Sequence, residues 1–433
     1  MRKLLPLLIA MILALPLYAA SVEGGIPIRG DLFWSEEELA KMDFNAQLTD
    51  DEREYYENTH IYLVTASPAD PVYVYFGHAG IAVDAPDRDE IMFDYGSFRF
   101  SDGFYINFIL GRLYYSCIET YASYRYDDFI RNDRTIKKIE LMMTPEAKKA
   151  TLAFLSYNVL PENETYLYHY YEDNCATRPR DIYNATTGGA FKSWAEDIEC
   201  GTYRSWSTLY LSKSLFFNYV LNFLQGPSVD KPITLYEATF LPDLLMKAIE
   251  EYEGSEAETV YQTKSREALP EHYSLVLDSL PVLFATAVII LLTASNKKWI
   301  RVIAHSISAI IYLFLAVLST ALVLFMCFSN HDVTYGNWNI LILPPFILAL
   351  SAMHIASLGK KERRKSIAFF SRIMLITTLV LLSIKGCFLS FFIQDNIVYY
   401  LTAIILYGSE ICATALSSYR SIPSSHLQYA QDQ

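Results

Sequence analysis

The sequence is poor in positive charge. Its 433 residues contain 35 Lys and Arg against 48 Asp and Glu, which gives a net charge of -13. The polar part of the chain also lacks a basic patch with interleaved aromatic residues. Because nucleic acids are bound through clustered Lys and Arg that neutralise phosphates, a nucleic-acid partner is excluded.

Motifs for metal binding are missing as well. None of the 8 His and 6 Cys residues occurs in an HxH, HExxH or CxxC pattern, the spacings that bring zinc ligands together. His60 and His169 stand alone in the sequence. We therefore expect neither a metal nor another cofactor.

Long apolar runs occur in one part of the chain only. Residues 1–21 combine Arg2 and Lys3 with a short apolar stretch and small residues, the pattern of a secretory signal peptide. An uncleaved anchor helix is the alternative. Five longer runs are found at 279–295, 302–328, 340–358, 370–393 and 397–417. Each is close to or above the ~20 residues that cross a bilayer as a helix, so we predict an all-α bundle of five membrane helices.

The loops between these runs indicate their orientation. Lys297, Lys298 and Arg301 follow the first run, and a second basic cluster at 360–365 follows the third, whereas the other two loops have no Lys or Arg. Basic loops stay in the cytoplasm, so the N-terminal domain faces outward. The expected parts are a signal peptide at 1–21, an exported domain at 22–253, a connector at 254–278, a membrane domain at 279–417 and a cytoplasmic tail at 418–433.

The exported segment is predicted to be α+β. Strands are predicted at 60–66, 72–85, 90–98 and 135–143, the second and third forming a hairpin. The residues at 165–174 are predicted to be a loop or an edge strand. Helices are predicted from Pro145, with Thr144 as N-cap, to about Val159, and at 175–185, 207–224 and 240–251.

The exported segment has an odd number of cysteines, Cys117, Cys175 and Cys200. Cys117 and Cys200 can pair, which the sequence leaves open, but at least one thiol has no partner within this segment. Cys175 follows Asn174 and opens a predicted helix, where free amides and the positive end of the dipole favour a thiolate. Cys175 is therefore the candidate nucleophile, with a purely structural cysteine as the alternative.

His78 is the candidate base for this nucleophile. It stands between Gly77 and Ala79-Gly80 in a predicted strand, where glycine permits close approach of backbone or substrate. Asp94 on the neighbouring strand is the first candidate for a group that orients the imidazole, and Asp84 is the second. A packed structural histidine is the alternative.

Polar residues outside this pair are candidates for substrate contact. Arg178 and Arg180, close to Cys175 in sequence, are suited to a phosphate head group or are ordinary surface charges. The long outer loop 329–339 contains His331, Asn337 and Asn339 beside Trp338. We expect it to face head groups or the exported domain, and a solvated loop with an interfacial Trp is the alternative.

Several segments in a fixed order resemble one known family. They are YFGHAGIAV (75–83), FDYGSF (93–98), YEDNCATRPRDI (171–182), FLPDLL (240–245) and SNHDVTYGNWNILILPP (329–345). The chain resembles the Lnb-type lipoprotein N-acyltransferases of Gram-negative bacteria over roughly 60–417. The resemblance implies a permuted papain or NlpC/P60-like thiol domain, histidine before cysteine, ahead of the five-helix bundle. Where the family often reads Asn-Tyr-Gly, this chain has Asp94-Tyr95-Gly96.

The resemblance also implies a reaction at the inner membrane. An acyl chain moves from a phospholipid through a cysteine thioester to the N-terminal α-amine of a diacylated lipoprotein. By this resemblance His78 is the catalytic histidine and Cys175 the nucleophile, and Asp94 stays the candidate third member. The candidate substrate-binding residues are Tyr95, Asn174, Arg178, His331, Asn337 and Asn339. The alternatives are a membrane-tethered cysteine peptidase or amidase of the cell envelope, and a non-catalytic sensor or assembly factor.

Overall fold

A computed structural model describes residues 36–98, 103–358, 364–388 and 392–419. The expected signal peptide at 1–21 and nearly all of the expected tail at 418–433 lie outside these ranges. Contacts divide the chain into two compact units. The first contains the described residues up to Leu211 together with Lys231–Glu271, and the second contains Ser212–Asp230 and the chain from His272 onward.

The strands of the first unit, in chain order, are β1 His60–Ala66, β2 His78–Ala85, β3 Arg88–Ser97, β4 Tyr114–Tyr121, β5 Ile136–Glu140, β6 Thr165–Leu167, β7 Glu199–Thr202, β8 Pro232–Thr234 and β9 Glu258–Tyr261. Seven of these strands form one antiparallel sheet, with the strand order β6-β4-β3-β2-β1-β5-β9. Strands β7 and β8 pair separately. The predicted hairpin is confirmed as β2 and β3, although β2 begins only at His78 because Val72–Val74 forms a 3₁₀ turn.

The helices up to the membrane bundle are α1 Glu36–Leu39, α2 Asp50–Glu57, α3 Phe104–Ile109, α4 Ala122–Arg131, α5 Pro145–Asn158, α6 Thr177–Thr186, α7 Ala190–Glu196, α8 Tyr203–Tyr210, α9 Leu215–Leu224, α10 Leu235–Ala238 and α11 Pro242–Glu253. The predicted start of α5 is confirmed, since the Thr144 side chain accepts from the Ala147 amide. The segment 207–224, predicted to be helical, contains the end of α8 and all of α9. The two helices are separate because Ser214 lies in extended conformation and caps α9.

Both faces of the central strands are buried. One face, with Leu63, Ile81 and Phe93, packs in the larger core with residues of α5, α6 and α11. The other face, which includes Met92, packs against Phe129 of α4. Burial on both faces explains why β2 is almost uninterruptedly apolar. Because side chains alternate along a strand, Asp94 shares the α4 face with Met92.

The second unit confirms five apolar helices long enough to cross a membrane. They span Leu275–Leu292, Lys298–Phe328, Asn339–Ala356, Lys365–Cys387 and Ile397–Tyr419. As helices they are α12 Leu275–Leu292, α13 Lys298–Phe328, α14 Asn339–Ile342, α15 Leu348–Ala356, α16 Arg364–Cys387 and α17 Ile397–Tyr419. The third span is broken between α14 and α15 at Pro344-Pro345, because proline cannot donate the helical hydrogen bond.

Two segments differ from the expected domain limits. The segment Ser212–Asp230, inside the expected exported domain at 22–253, packs with the membrane helices because α9 is apolar. Strand β9 lies inside the expected connector at 254–278 and extends the sheet by pairing with β5. The connector therefore contributes to the folded exported domain.

A buried polar cluster joins three helices of the bundle. His354 of α15 approaches His305 of α13 at 2.8 Å between Nδ1 atoms and Glu410 of α17 at 2.9 Å between Nε2 and Oε1. All three side chains are buried. Ionisable groups inside a membrane span are costly unless they pair with one another, and these three do.

Candidate active site

His78, Asp94 and Cys175 meet at one end of the sheet. The Nε2 atom of His78 lies 2.5 Å from Oδ1 of Asp94. The sulfur of Cys175 is within hydrogen-bonding reach of the His78 ring and of the Ala79 amide. Gly96 passes beside them with φ +91°, and a Cβ built there would lie 3.4 Å from Cβ of Cys175. The strand pair β2 and β3 thus supplies the base and its carboxylate.

Asn174 fixes the backbone on both sides of the candidate nucleophile. Its Oδ1 accepts from the amides of Ala176 at 2.8 Å and Thr177 at 3.0 Å. Its Nδ2 donates to the carbonyls of Tyr170 at 3.0 Å and Phe240 at 3.1 Å. Cys175 therefore precedes α6 and does not open it as predicted, and Asn174 takes two of the amides that were expected to face the thiolate.

A buried ion pair supports the same turn. Arg178 contacts Asp173 through Nε–Oδ1 at 2.6 Å and Nη2–Oδ2 at 2.9 Å. Its guanidinium lies 3.7 Å from the centre of the Tyr166 ring. A bidentate pair of this kind is geometrically specific, so it holds the start of α6 in one orientation.

The charges favour a thiolate and an imidazolium. Burial by itself would lower the pKa of His78, but Asp94 and Cys175 raise it to about 9. Burial would raise the pKa of the Cys175 thiol, but His78 and the Ala79 amide lower it below its ordinary value. Cys175 is partly exposed, so a thiolate there is accessible to a reagent.

Arg125 is a fourth member of this arrangement, and sequence reasoning missed it. Its Nε lies 2.5 Å from Oδ2 of Asp94, and its guanidinium lies 4.8 Å from the centre of the Phe129 ring. Burial would raise the pKa of Asp94, but His78 and then Arg125 hold it below its usual value. No motif marks Arg125, because only the packing of α4 on the sheet brings it to Asp94.

The three candidate binding residues of this domain are enclosed. Tyr95 is fully buried, and Asn174 and Arg178 are 3% and 4% exposed. Tyr95 packs in the core, Asn174 hydrogen-bonds the backbone around Cys175, and Arg178 forms the ion pair with Asp173. Direct contact of these residues with substrate stays a prediction.

The other three candidates lie in the membrane unit. Asn337 and Asn339 are fully buried, and each donates to the carbonyl of Phe223 at 2.9 Å. Gln394 donates to Oδ1 of Asn337 at 2.9 Å. His331 is 7% exposed and packs against Phe325. The loop 329–339, predicted to face head groups or the exported domain, with a solvated loop as the alternative, has no exposed residue, because its asparagines hydrogen-bond the end of α9.

The remaining candidates have ordinary surroundings. Cys117 and Cys200 are free thiols and do not pair. Asp84 is exposed at the far end of β2, and Arg180 pairs with Asp181 at 2.7 Å. Within the described ranges, no three His, Cys, Asp or Glu side chains are grouped as a metal site requires.

These features define a class: a multi-pass membrane protein whose exported α+β domain contains a Cys-His-Asp centre. Two family models match the chain, the Lnb N-terminal periplasmic domain over residues 49–208 and the Lnb transmembrane domain over residues 277–418. The chain belongs to the Lnb family, and it is a lipoprotein-related membrane protein with its N-terminal domain in the periplasm. Comparison with curated proteins and with solved structures gave no match.

Proposed function

We propose that the protein is a thiol-dependent lipoprotein N-acyltransferase. It takes an acyl chain from a phospholipid and transfers it to the N-terminal α-amine of a diacylated lipoprotein. The observation that supports this most directly is the Cys175–His78–Asp94 centre, in a periplasmic domain joined to five membrane helices. Both substrates are lipids or lipid-anchored, so a membrane-bound thiol enzyme suits them.

In the first half of the proposed reaction, the Cys175 thiolate attacks the ester carbonyl of the phospholipid. The tetrahedral intermediate collapses and the ester C–O bond breaks. The His78 imidazolium gives its proton to the departing glyceryl oxygen. The products are a thioester on Cys175, a lysophospholipid and a neutral His78. Asp94 keeps the ring directed at the sulfur throughout.

In the second half, the neutral α-amine of the lipoprotein attacks the thioester. His78 accepts the proton that the amine loses as the amide bond forms. The C–S bond breaks, and the thiolate and imidazolium are restored as a pair. The product is a triacylated lipoprotein, and the site is ready for another phospholipid.

The function is tested in a strain in which this protein is the sole source of lipoprotein N-acylation. Cys175→Ala is compared with Cys200→Ala, which removes another partly exposed periplasmic thiol. We expect mass spectra of the lipoproteins to lose the third acyl chain in Cys175→Ala only. Retention of the third chain in Cys175→Ala overturns the proposal.

The same strains separate the two alternatives. A membrane-tethered peptidase or amidase predicts uncleaved wall peptides in Cys175→Ala, with lipoproteins unchanged. A non-catalytic sensor or assembly factor predicts no difference between the two cysteine variants, because neither thiol would react.

A further inference from the structure

A row of aromatic side chains leads away from the candidate nucleophile. The rings of Tyr168 and Tyr115 stack with centroids 4.5 Å apart, and Tyr115 lies 5.1 Å from Phe98. Phe98 stacks on Phe104 at 5.6 Å, and Phe104 lies 6.3 Å from Phe108. The row therefore runs from Tyr168, which directly follows β6, through Tyr115 of β4 to helix α3.

The inner end of this row is close to Cys175. Burial, with the charge of Cys175 second, raises the pKa of Tyr115 to about 12. The same two causes raise the pKa of Tyr168 well above its ordinary value. Gly96, two residues before Phe98, passes next to Cys175, and a Cβ built on it would lie 3.4 Å from Cβ of Cys175.

The outer end is an exposed apolar helix. In α3, Tyr105, Ile106, Phe108 and Ile109 are 72%, 65%, 43% and 53% exposed. The sequence of α3, FYINFI, has no charged residue. Contiguous apolar surface of this kind is unusual in a water-soluble domain and marks a binding surface.

We propose that this aromatic strip, formed by Tyr168, Tyr115, Phe98, Phe104 and the exposed residues of α3, binds the acyl chain of the membrane lipid that acylates Cys175. The inference rests on the proposed function, since it names where that lipid lies. Tyr115 of the strip pairs across β4 and β6 with Tyr166. The Tyr166 hydroxyl and Cβ of Cys175 lie 3.9 Å and 3.4 Å from the position of a Cβ built on Gly96, so the strip begins near the nucleophile, as an acyl donor requires. It offers apolar surface without charge, which suits a hydrocarbon chain better than a peptide with its polar backbone.

Photo-crosslinking tests the position of the chain without requiring turnover. Full-length protein with Cys175→Ser is mixed with a phosphatidylethanolamine whose acyl chain carries a diazirine, and the labelled peptides are mapped. We expect labelling of the peptides that contain α3 and Tyr115, suppressed by excess unmodified lipid. Labelling of α3 no greater than that of the peptide containing exposed Met142 overturns the inference.

A double variant on α3 tests the contribution to the reaction. Ile106→Ser with Phe108→Ser removes exposed apolar surface and should raise the KM for phospholipid about tenfold with little change in kcat. Met142→Ser is the matched control, because Met142 is 72% exposed and follows β5, away from the strip. If the α3 double variant and Met142→Ser have equal KM values for phospholipid and equal midpoints of thermal unfolding, the proposal is contradicted.

The two experiments keep this inference separate from the proposed function. Lipid labelling of α3, together with failure of the protein with an intact Cys175 to N-acylate lipoproteins, supports the strip and refutes N-acyl transfer. Normal N-acylation without labelling of α3 refutes the strip alone. Crosslinks from α3 to a second copy of the chain would instead identify α3 as a protein interface and overturn the lipid assignment.

Discussion

The Nε2 atom of His78 lies 2.5 Å from Oδ1 of Asp94, a carboxylate that is itself only 1% exposed. A hydrogen bond to a buried carboxylate fixes the ring direction and stabilises the protonated imidazole. Oδ2 of the same carboxylate faces Arg125. The buried Asp94 carboxylate thus joins the charges of His78 and Arg125 beside the Cys175 thiol.

Two replacements of Asp94 should distinguish the effect of its negative charge from its effect on the orientation of the His78 ring. Asp94→Asn keeps an oxygen acceptor for His78 but removes the charge that raises the pKa of the ring, so that pKa should fall from about 9 toward 6.5. Asp94→Ala removes both and should lower acyl transfer by roughly 10²- to 10⁴-fold. The check is the pH dependence of Cys175 alkylation by iodoacetamide. A profile unchanged in Asp94→Asn would contradict the assigned role.

Arg125 is predicted to be a positioning residue. Arg125→Ala leaves the Asp94 carboxylate with His78 as its remaining cationic partner, so the pKa of Asp94 should rise and the ring should be held less firmly. We expect kcat to fall about tenfold to a hundredfold, with partial recovery in Arg125→Lys. The acid limb of the pH–rate profile should move upward in Arg125→Ala. Arg131→Ala, at the C-terminal end of the same helix, is the control and should show neither effect.

The proposed acid role of His78 predicts two different pH profiles at high pH. Acylation of Cys175 by phospholipid needs both the thiolate and the imidazolium, so its rate should decline as pH rises through about 9. Alkylation of Cys175 needs only the thiolate and should not decline there. The rates of acylation and alkylation are measured on the same protein preparation across this pH range. A decline of both rates above pH 9 would contradict the acid role of His78.

Asn174 should matter for stability as well as reactivity. Asn174→Ala removes the acceptor of the Ala176 and Thr177 amides at the start of α6 and leaves the carbonyls of Tyr170 and Phe240 without its donor. We expect a loss of about 2–4 kcal/mol in the free energy of unfolding, together with slower alkylation of Cys175. Asn163→Ala removes one exposed hydrogen bond, to the Tyr157 carbonyl at 3.1 Å, and should change little. The thermal midpoints of both full-length variants provide the measurement.

The sequence predicted the parts of the fold that depend on local patterns. The residue composition of 60–66 identified β1, the turn residues between the next two strands identified the hairpin of β2 and β3, and Thr144-Pro145 identified the start of α5. Long apolar runs identified five membrane helices. Strand β4 was missed because its sequence, YYSCIETY, has no clean alternation of exposed and buried positions. This segment is a strand because it pairs with β3 and β6.

The candidate site was predictable only in part. His78 and Cys175 could be chosen because glycine and a predicted helix start mark them in the sequence, and Asp94 follows from hairpin geometry. Arg125 could not be found, since its approach to Asp94 depends on how α4 packs on the sheet. The hydrogen bonds by which Asn174 holds the backbone around Cys175 could not be predicted, because they also depend on tertiary packing. Its Nδ2 bonds Phe240, which is 66 residues away in sequence.

The central claim is that Cys175 becomes acylated by a phospholipid, and the intact protein tests it directly. Full-length protein is incubated with phospholipid in the absence of lipoprotein, quenched in acid and weighed by mass spectrometry, with His78→Ala as the comparison. We expect an adduct of one fatty acyl chain on Cys175, released by hydroxylamine and by added diacylated lipoprotein, and strongly reduced in His78→Ala. An unmodified Cys175 under conditions in which the lipoprotein is still N-acylated would contradict it.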